Sequence, residues 1–234
     1  MKAQKISRRL RALGNKEQAA VSRRFFKTGP GEYGEGDVFL GIKVPVLRKL
    51  AKAHADLPLK EIETLLTSGI HEERLLALLI LVRMFDRGDD LIRHQIYDLY
   101  LKNMSSVNNW DLVDLSAPYI LGPYLADRSR APLHRLAKSK SLWERRIAVM
   151  ATFHYIKSGA FSDTLKISKM LLSDTEDLIH KAVGWMLREI GKRHPQTEEN
   201  FLKKYYQKMP RTMLRYAIEK FPEPKRQAYL KGTI

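Results

Sequence analysis

Three stretches of this chain share a pattern at near-regular spacing. Arg74-Leu-Leu-Ala77, Arg145-Arg-Ile-Ala148 and Lys181-Ala-Val-Gly184 each place a basic residue three positions before a small one, inside an apolar helical stretch. The small residues at 77 and 148 are 71 apart, and those at 148 and 184 are 36 apart. Half of the longer interval falls near Val113, in a segment that reads as a helix over 110–121, and one more step from Gly184 reaches Leu214-Arg-Tyr-Ala217. A period of roughly 35–36 residues with two helices per unit describes an α-solenoid, in which each unit buries its apolar face only against its neighbours. The small residue would let helices approach closely within a layer. Chance likeness among Leu/Ala-rich helices is the competing explanation.

The rest of the chain agrees with an all-α reading. Leu47, Leu50 and Ala51 recur at helical period, as do Ile62, Leu65 and Leu66, while Leu75 to Val82 is apolar nearly all round, as a buried helix would be. Breaks fall at Gly14, Gly29–Gly36, Pro58, Gly69, Gly88, Gly122–Pro123, Gly159, Pro195, Pro210 and Pro222, which suits roughly fourteen short helices. Asp56 or Leu57, Ser141, and Ser173 or Asp174 are the expected caps of three of them. No strand alternation with hairpin turns appears. The expectation is a single domain over 1–234, an α-α superhelix that is C-shaped and offers one concave face.

Charge gives the first functional constraint. The chain has 234 residues, is 44% hydrophobic and carries a formal net charge of +16, so it has the apolar content for a core together with a strong positive excess. Residues 1–27 hold nine basic side chains and one acid, Glu17, and residues 186–234 hold twelve basic and five acidic ones, while 28–185 is nearly balanced. Two basic flanks around a neutral centre suggest a polyanion gripped at both ends, with nucleic acid leading and simple solubility charge as the plain alternative. The absence of cysteine excludes disulfides, thiolate metal sites and a cysteine nucleophile. No secretory signal pattern and no apolar run of membrane-spanning length is present. Residues 2–16 form a basic amphipathic helix with Ile6, Leu10 and Leu13 on one face. Transit peptides and membrane-surface helices share that pattern, but continuity with further helical sequence favours a place in the fold.

Several motifs mislead. Gly29-Pro-Gly31-Glu-Tyr-Gly34 matches a dinucleotide fingerprint in letters, yet no strand precedes it, and Glu32, Glu35 and Asp37 would repel a pyrophosphate. The three acids lack EF-hand spacing, and the seven histidines lack paired ligand spacing. No P-loop, kinase or nucleophile-elbow pattern occurs. The expectation is no metal, no nucleotide cofactor and no membrane association.

Three helices carry residues that core logic alone does not require. In Asn108-Asn109-Trp110-Asp111-Leu112-Val113-Asp114, Trp110 and Asp114 share a face at i,i+4; the structural alternative has Asn109 or Asp111 capping and Trp110 in the core. Arg145 and Arg146 point about 100° apart, so one could face a partner, or both could be solvated or paired with Glu144. Trp185 follows the small position at Gly184, beside a concave surface or in the core. On neighbouring repeats, Trp110, Asp114, Arg146 and Trp185 could converge on one cleft. Two indoles, a carboxylate and a guanidinium suit a cationic planar ligand on a phosphate backbone.

Taken together, Phe39-Leu-Gly-Ile-Lys-Val-Pro45, Asn109-Trp-Asp-Leu-Val-Asp114, Trp143-Glu-Arg-Arg-Ile-Ala148 and Lys181-Ala-Val-Gly-Trp-Met-Leu-Arg-Glu189 resemble the HEAT-like repeat glycosylases of the AlkD-like DNA alkylation repair family. The resemblance covers nearly the whole chain. It implies removal of cationic N3- and N7-alkylated purines from duplex DNA without a deep base-flipping pocket. It carries the catalytic carboxylate onto Asp114, the lesion-packing indoles onto Trp110 and Trp185, and the phosphate-contacting arginine onto Arg146. Arg145, Lys181, Arg188 and Lys27 are further candidates for the DNA backbone. The chain departs from some members at Arg24-Phe25-Phe26-Lys27, where they have a tyrosine, and in the length of its Gly-rich insert. The resemblance implies a monomeric, nucleoid-associated cytoplasmic enzyme with duplex DNA as partner and no cofactor. A catalytically silent binder of branched DNA and a scaffold for an acidic protein are the competing readings.

Overall fold

The computed structural model describes residues 2–234. Among these it contains sixteen α-helices, three 3₁₀ turns and no strand, and the helices form two compact units, 1–124 and 125–234.

The first unit comprises α1 (Ala3–Ala12), α2 (Lys16–Phe25), α3 (Val44–Ala53), α4 (Leu59–Leu66), α5 (His71–Arg87), α6 (Asp90–Lys102), α7 (Trp110–Asp114) and α8 (Leu121–Tyr124). Helix α5 is its axis and packs against α3, α4, α6 and α7. The apolar run predicts this: every residue from Leu75 to Leu81 is buried, because neighbours cover the helix on all sides. The amphipathic N-terminal helix also forms, with Ala3, Ile6 and Leu10 buried and its axis against α4. It stops at Ala12, however, so Leu13 is exposed rather than continuing the apolar face. The expected helix over 110–121 is broken as well. Its chain turns after Asp114 and resumes at Leu121, because Pro118 has no N–H to donate and disfavours a helical Ala117.

The second unit comprises α9 (Ala131–Leu136), α10 (Leu142–Ala151), α11 (Phe153–Lys157), α12 (Ser162–Met170), α13 (Asp177–Gly191), α14 (Pro195–Tyr205), α15 (Arg211–Ala217) and α16 (Glu223–Lys231). Helix α13 is its axis and contacts α10, α11, α12, α14 and α15. Ser141 caps α10 by accepting from the Glu144 N–H at 3.4 Å. Asp174 stands just outside α13 and accepts from the Glu176 N–H at 2.9 Å.

The repeat's small residues sit where close approach is needed. Ala77, Ala148 and Ala217 are buried, as is Gly184. A Cβ at Gly184 would lie 2.4 Å from the Met213 carbonyl oxygen and 3.2 Å from the Ala217 nitrogen. Two repeat positions therefore meet directly, α13 against the backbone of α15. Gly184→Ala should destabilise the protein by about 1–2 kcal/mol in urea unfolding, because overpacking against rigid backbone outweighs the gain in helix propensity. Equal or greater stability would show that the α13–α15 approach is not set by this residue.

Candidate active site

In the first unit, α7 holds Trp110 at its first position and Asp114 at its last. Both side chains are half-buried, so each keeps a surface for a ligand. Asn109 caps the helix, its Oδ1 accepting from the Trp110 N–H at 2.8 Å. Asp111 folds back onto the Leu112 N–H at 2.9 Å. Asn109 thus takes the cap, while Trp110 and Asp114 each stay partly exposed. The Asp114 charge also bears on Tyr100. Burial pushes that phenol strongly up, the Ser116 hydroxyl at 2.9 Å opposes the shift, and Asp114 adds to it; Tyr100 stays a neutral donor or acceptor.

Trp110 rests on a run of rings. Its indole stacks on Phe26 at 5.2 Å between centroids, Phe26 stacks on Phe39 at 4.9 Å, and Phe39 stacks on the His71 imidazole at 4.4 Å. Phe25 meets the indole edge-on at 5.8 Å while remaining 62% exposed. Phe25 and Phe26 thus build an apolar platform under and beside Trp110.

Beneath this platform lies a buried charge cluster. His71 Nε2 is 2.8 Å from Asp111 Oδ2, and its Nδ1 is 3.2 Å from Asp37 Oδ2. Asp37 also accepts from Arg74 and, at 2.9 Å, from the Asn109 amide. Burial lowers the His71 pKa, but hydrogen bonds and charge from Asp111 and Asp37 outweigh it and bring it to about 9. Burial raises the Asp37 carboxyl, but His71, Arg74 and Asn109 together hold it below the usual carboxylate range. The Gly-rich segment serves this cluster. Glu32 and Glu35 accept from the Gly29 and Gly31 N–H groups at 2.8 and 2.9 Å, and the loop then delivers Asp37 to the cluster. Gly34 is required there, since a Cβ would lie 2.4 Å from the Phe26 carbonyl oxygen. Lys27 is exposed, at the base of the loop, in the left-handed region with φ 51°. Nearby, the Glu72 carboxylate gathers the N–H groups of Leu40, Gly41 and Ile42 at 2.9, 2.7 and 3.2 Å.

In the second unit, α10 carries Arg145 and Arg146, and α13 carries Lys181, Trp185 and Arg188. Arg145 pairs with Asp174 at 2.6 Å, not with Glu144, and donates to the carbonyls of Ser139 and Lys140. Arg146 is 4% exposed and donates to the Leu178 carbonyl. Lys181 pairs with Asp177 at 2.7 Å, and Arg188 pairs with Glu219. Trp185 is half-buried, with its ring 6.3 Å from Phe153.

The family model described as DNA alkylation repair enzyme matches residues 6–221. The chain belongs to that family. Three solved structures share its fold. A predicted DNA alkylation repair enzyme from Enterococcus faecalis is 21% identical over 90% of this chain and 97% of its own, with a TM-score of 0.69. AlkD2 from Streptococcus mutans is 17% identical over 89% and 99%, with a TM-score of 0.55. The protein smu.31 from Streptococcus mutans UA159 is 18% identical over 94% and 99%, with a TM-score of 0.52. No curated protein matches the sequence. These likenesses establish the all-α helical-repeat fold of the alkylation repair enzymes for this chain, with DNA as the family's partner.

The alkylation repair fold here contains residues that sequence reasoning did not single out: Phe26, Phe39, Asp37, His71 and Asp111 as one assembly. Asp37 had been seen only as a member of an acidic loop, and His71 only as a histidine without ligand spacing. The assembly gives a pH signature. Because the folded pKa of His71 lies above the ordinary 6.5, its contribution is fully present below pH 6.5 and is lost as pH rises through about 9. The shift corresponds to on the order of 3 kcal/mol. Glu198, whose carboxyl burial pushes up to about 8, contributes with the same sign. The difference between wild-type and His71→Gln stability, followed by chemical unfolding from pH 6 to 10, isolates His71. That difference should shrink with rising pH, and a constant difference would refute the charged cluster.

Proposed function

We propose that this chain is a DNA N-glycosylase that hydrolyses the N-glycosidic bond of cationic N3- and N7-alkylated purines, such as 3-methyladenine and 7-methylguanine, in duplex DNA. The observation that carries this reading is α7, where a half-buried indole and a half-buried carboxylate stand at the two ends of one short, buttressed helix. Membership of the alkylation repair family supplies the DNA.

The chemistry asks little of the protein. The alkylated base carries a positive charge and needs no general acid. The C1′–N bond breaks with its electron pair moving onto the base, which leaves neutral. A water oxygen then adds to C1′ and gives up a proton. An ionised Asp114 stabilises the oxocarbenium-like sugar and orients that water. Trp110 and Trp185 pack against the lesion nucleotide, and base extrusion into a deep pocket is not required. Arg146 is assigned the adjacent phosphate by its family position, and it would exchange its Leu178 carbonyl for that contact. The protein would act as a monomer on chromosomal DNA in the cytoplasm.

Asp114→Asn should lower the single-turnover rate of 7-methylguanine release from methylated duplex by roughly 10²–10⁴-fold, with DNA affinity within about twofold of wild type. The assay is run in chelator, which also tests the expectation that no metal is needed. Unchanged release would overturn the role of Asp114. Binding without release by the wild type would favour the catalytically silent reading.

The basic flank gives a second test. Lys2, Lys5, Arg8, Arg9, Arg11, Lys16, Arg23, Arg24 and Lys27 are all exposed. Deleting the segment would remove Ile6 and Leu10 from the core, so substitution is the better probe. Each exposed arginine changed to glutamine that had met a phosphate should reduce the log–log salt slope of binding by about 0.9. A full-length protein whose affinity ignores salt would contradict this arrangement.

A further inference from the structure

The charge cluster in the first unit is more than a buried ion pair, because its two ends meet at Trp110. His71 is the first residue of α5, and its N–H donates to the Val38 carbonyl at 2.9 Å. Each of its ring nitrogens faces a carboxylate oxygen, at 2.8 and 3.2 Å. A neutral imidazole has one N–H, so one of those contacts would set a lone pair against a carboxylate. Two carboxylates on opposite sides therefore call for the doubly protonated ring, on geometry alone.

From His71 two routes lead to the same indole. The polar route runs through Asp111, which is in the first turn of α7. Asp37 reinforces it from the other side by accepting from Asn109, whose own side chain caps the Trp110 N–H. The residues before and after Trp110 are both tied to this one cluster. The aromatic route runs through Phe39 and Phe26 to the face of the indole. The groups that face His71 are Asp37 from the loop, Asp111 from α7, and the rings of Phe26 and Phe39. On its own helix, Arg74 is turned to Asp37, Glu72 to the 40–42 amides and Glu73 to Ser7.

We infer that His71 is a positioning residue of the α7 site: held between Asp37 and Asp111, its protonated ring fixes the plane of the Trp110 indole and, through the same short helix, the direction of the Asp114 carboxylate. Loss of its proton strips one carboxylate of its donor and loosens the first turn of α7. The consequence for turnover rests on the glycosylase reading above; the structural coupling does not.

The experiment has an arm for each. In ¹⁵N-labelled protein, both His71 ring nitrogens should show imidazolium shifts at pH 7. The Trp110 indole N–H, assigned with Trp110→Phe, should shift between pH 7 and 10 with the His71 midpoint, near 9. In His71→Gln that transition should vanish. Single-turnover base release should fall roughly 10- to 100-fold across the same midpoint, and by a similar factor in His71→Gln at pH 7, while duplex affinity stays within about twofold. A singly protonated ring at pH 7, or a Trp110 signal unmoved while His71 titrates, overturns the proposal. Absence of base release by the wild type at every pH overturns the glycosylase reading alone, since the two resonances report without turnover. The wild-type titration needs no variant, so a His71→Gln protein that fails to fold does not rescue the idea.

Discussion

Asp37 accepts from three side chains at once, His71 and Arg74 from α5 and Asn109, the cap of α7. Removing such a carboxylate from water costs several kcal/mol unless its lone pairs are filled. Here they are filled, and the second carboxylate, Asp111, is served by His71 and by the Leu112 N–H. Two acids and two cations leave the cluster neutral. A neutral cluster whose carboxylate oxygens are all bonded tolerates burial, even with the Arg74 Nε left without a partner, but losing any one member leaves a charge stranded. The loop before Asp37, the start of α5 and the start of α7 are therefore fixed together, and the aromatic platform stands on that base. Half-buried Trp110 and Asp114 stand on the helix whose start these contacts fix.

This dependence explains why the chain tolerates an awkward insert. The segment from Gly29 to Gly36 satisfies its own backbone through Glu32 and Glu35, and Gly34 lets it fold against the end of α2. Its letters imitate a phosphate-binding loop, but its acids cap its own amides and deliver Asp37 inward. A charge pattern that argues against an anion site is the same pattern that builds the anchor for α7.

Local features were legible in the sequence; convergent ones were not. The buried run of α5, the Ser141 cap and the close approach at Gly184 follow from period, cap chemistry and a small residue at a repeat position. Trp110 and Asp114 on one helix face follow from their i,i+4 spacing. Asp37, His71 and Asp111 lie far apart in sequence, and no spacing rule joins an acid in a loop to a histidine at one helix start and an acid at another. Phe26 reads as a departure from a tyrosine, and only its stacking on Trp110 gives it a role. The helix expected over 110–121 breaks because Pro118 interrupts an otherwise periodic stretch.

The arginines and lysines separate in a way that net charge hides. In the second unit, Arg145 is tied to Asp174 and two carbonyls, and Arg146 to Leu178. In the C-terminal block, Glu189, Glu199, Glu219 and Glu223 draw in Lys192, Arg193, Lys203, Lys225, Arg188, Lys220 and Arg226. The N-terminal block contains a single acid, Glu17, and all nine of its cations are exposed. Nearly equal formal charges at the two ends, +8 and +7, therefore do not make equal fields. A cation already paired gives up part of that pairing to neutralise a phosphate, whereas an exposed one exchanges only water and counterions. Helices α1 and α2 accordingly offer the stronger electrostatic grip, and they belong to the same unit as Trp110 and Asp114. The N-terminal positive charge therefore lies on the unit that holds Trp110 and Asp114, while paired residues such as Arg145 and Arg188 hold their own helices together first.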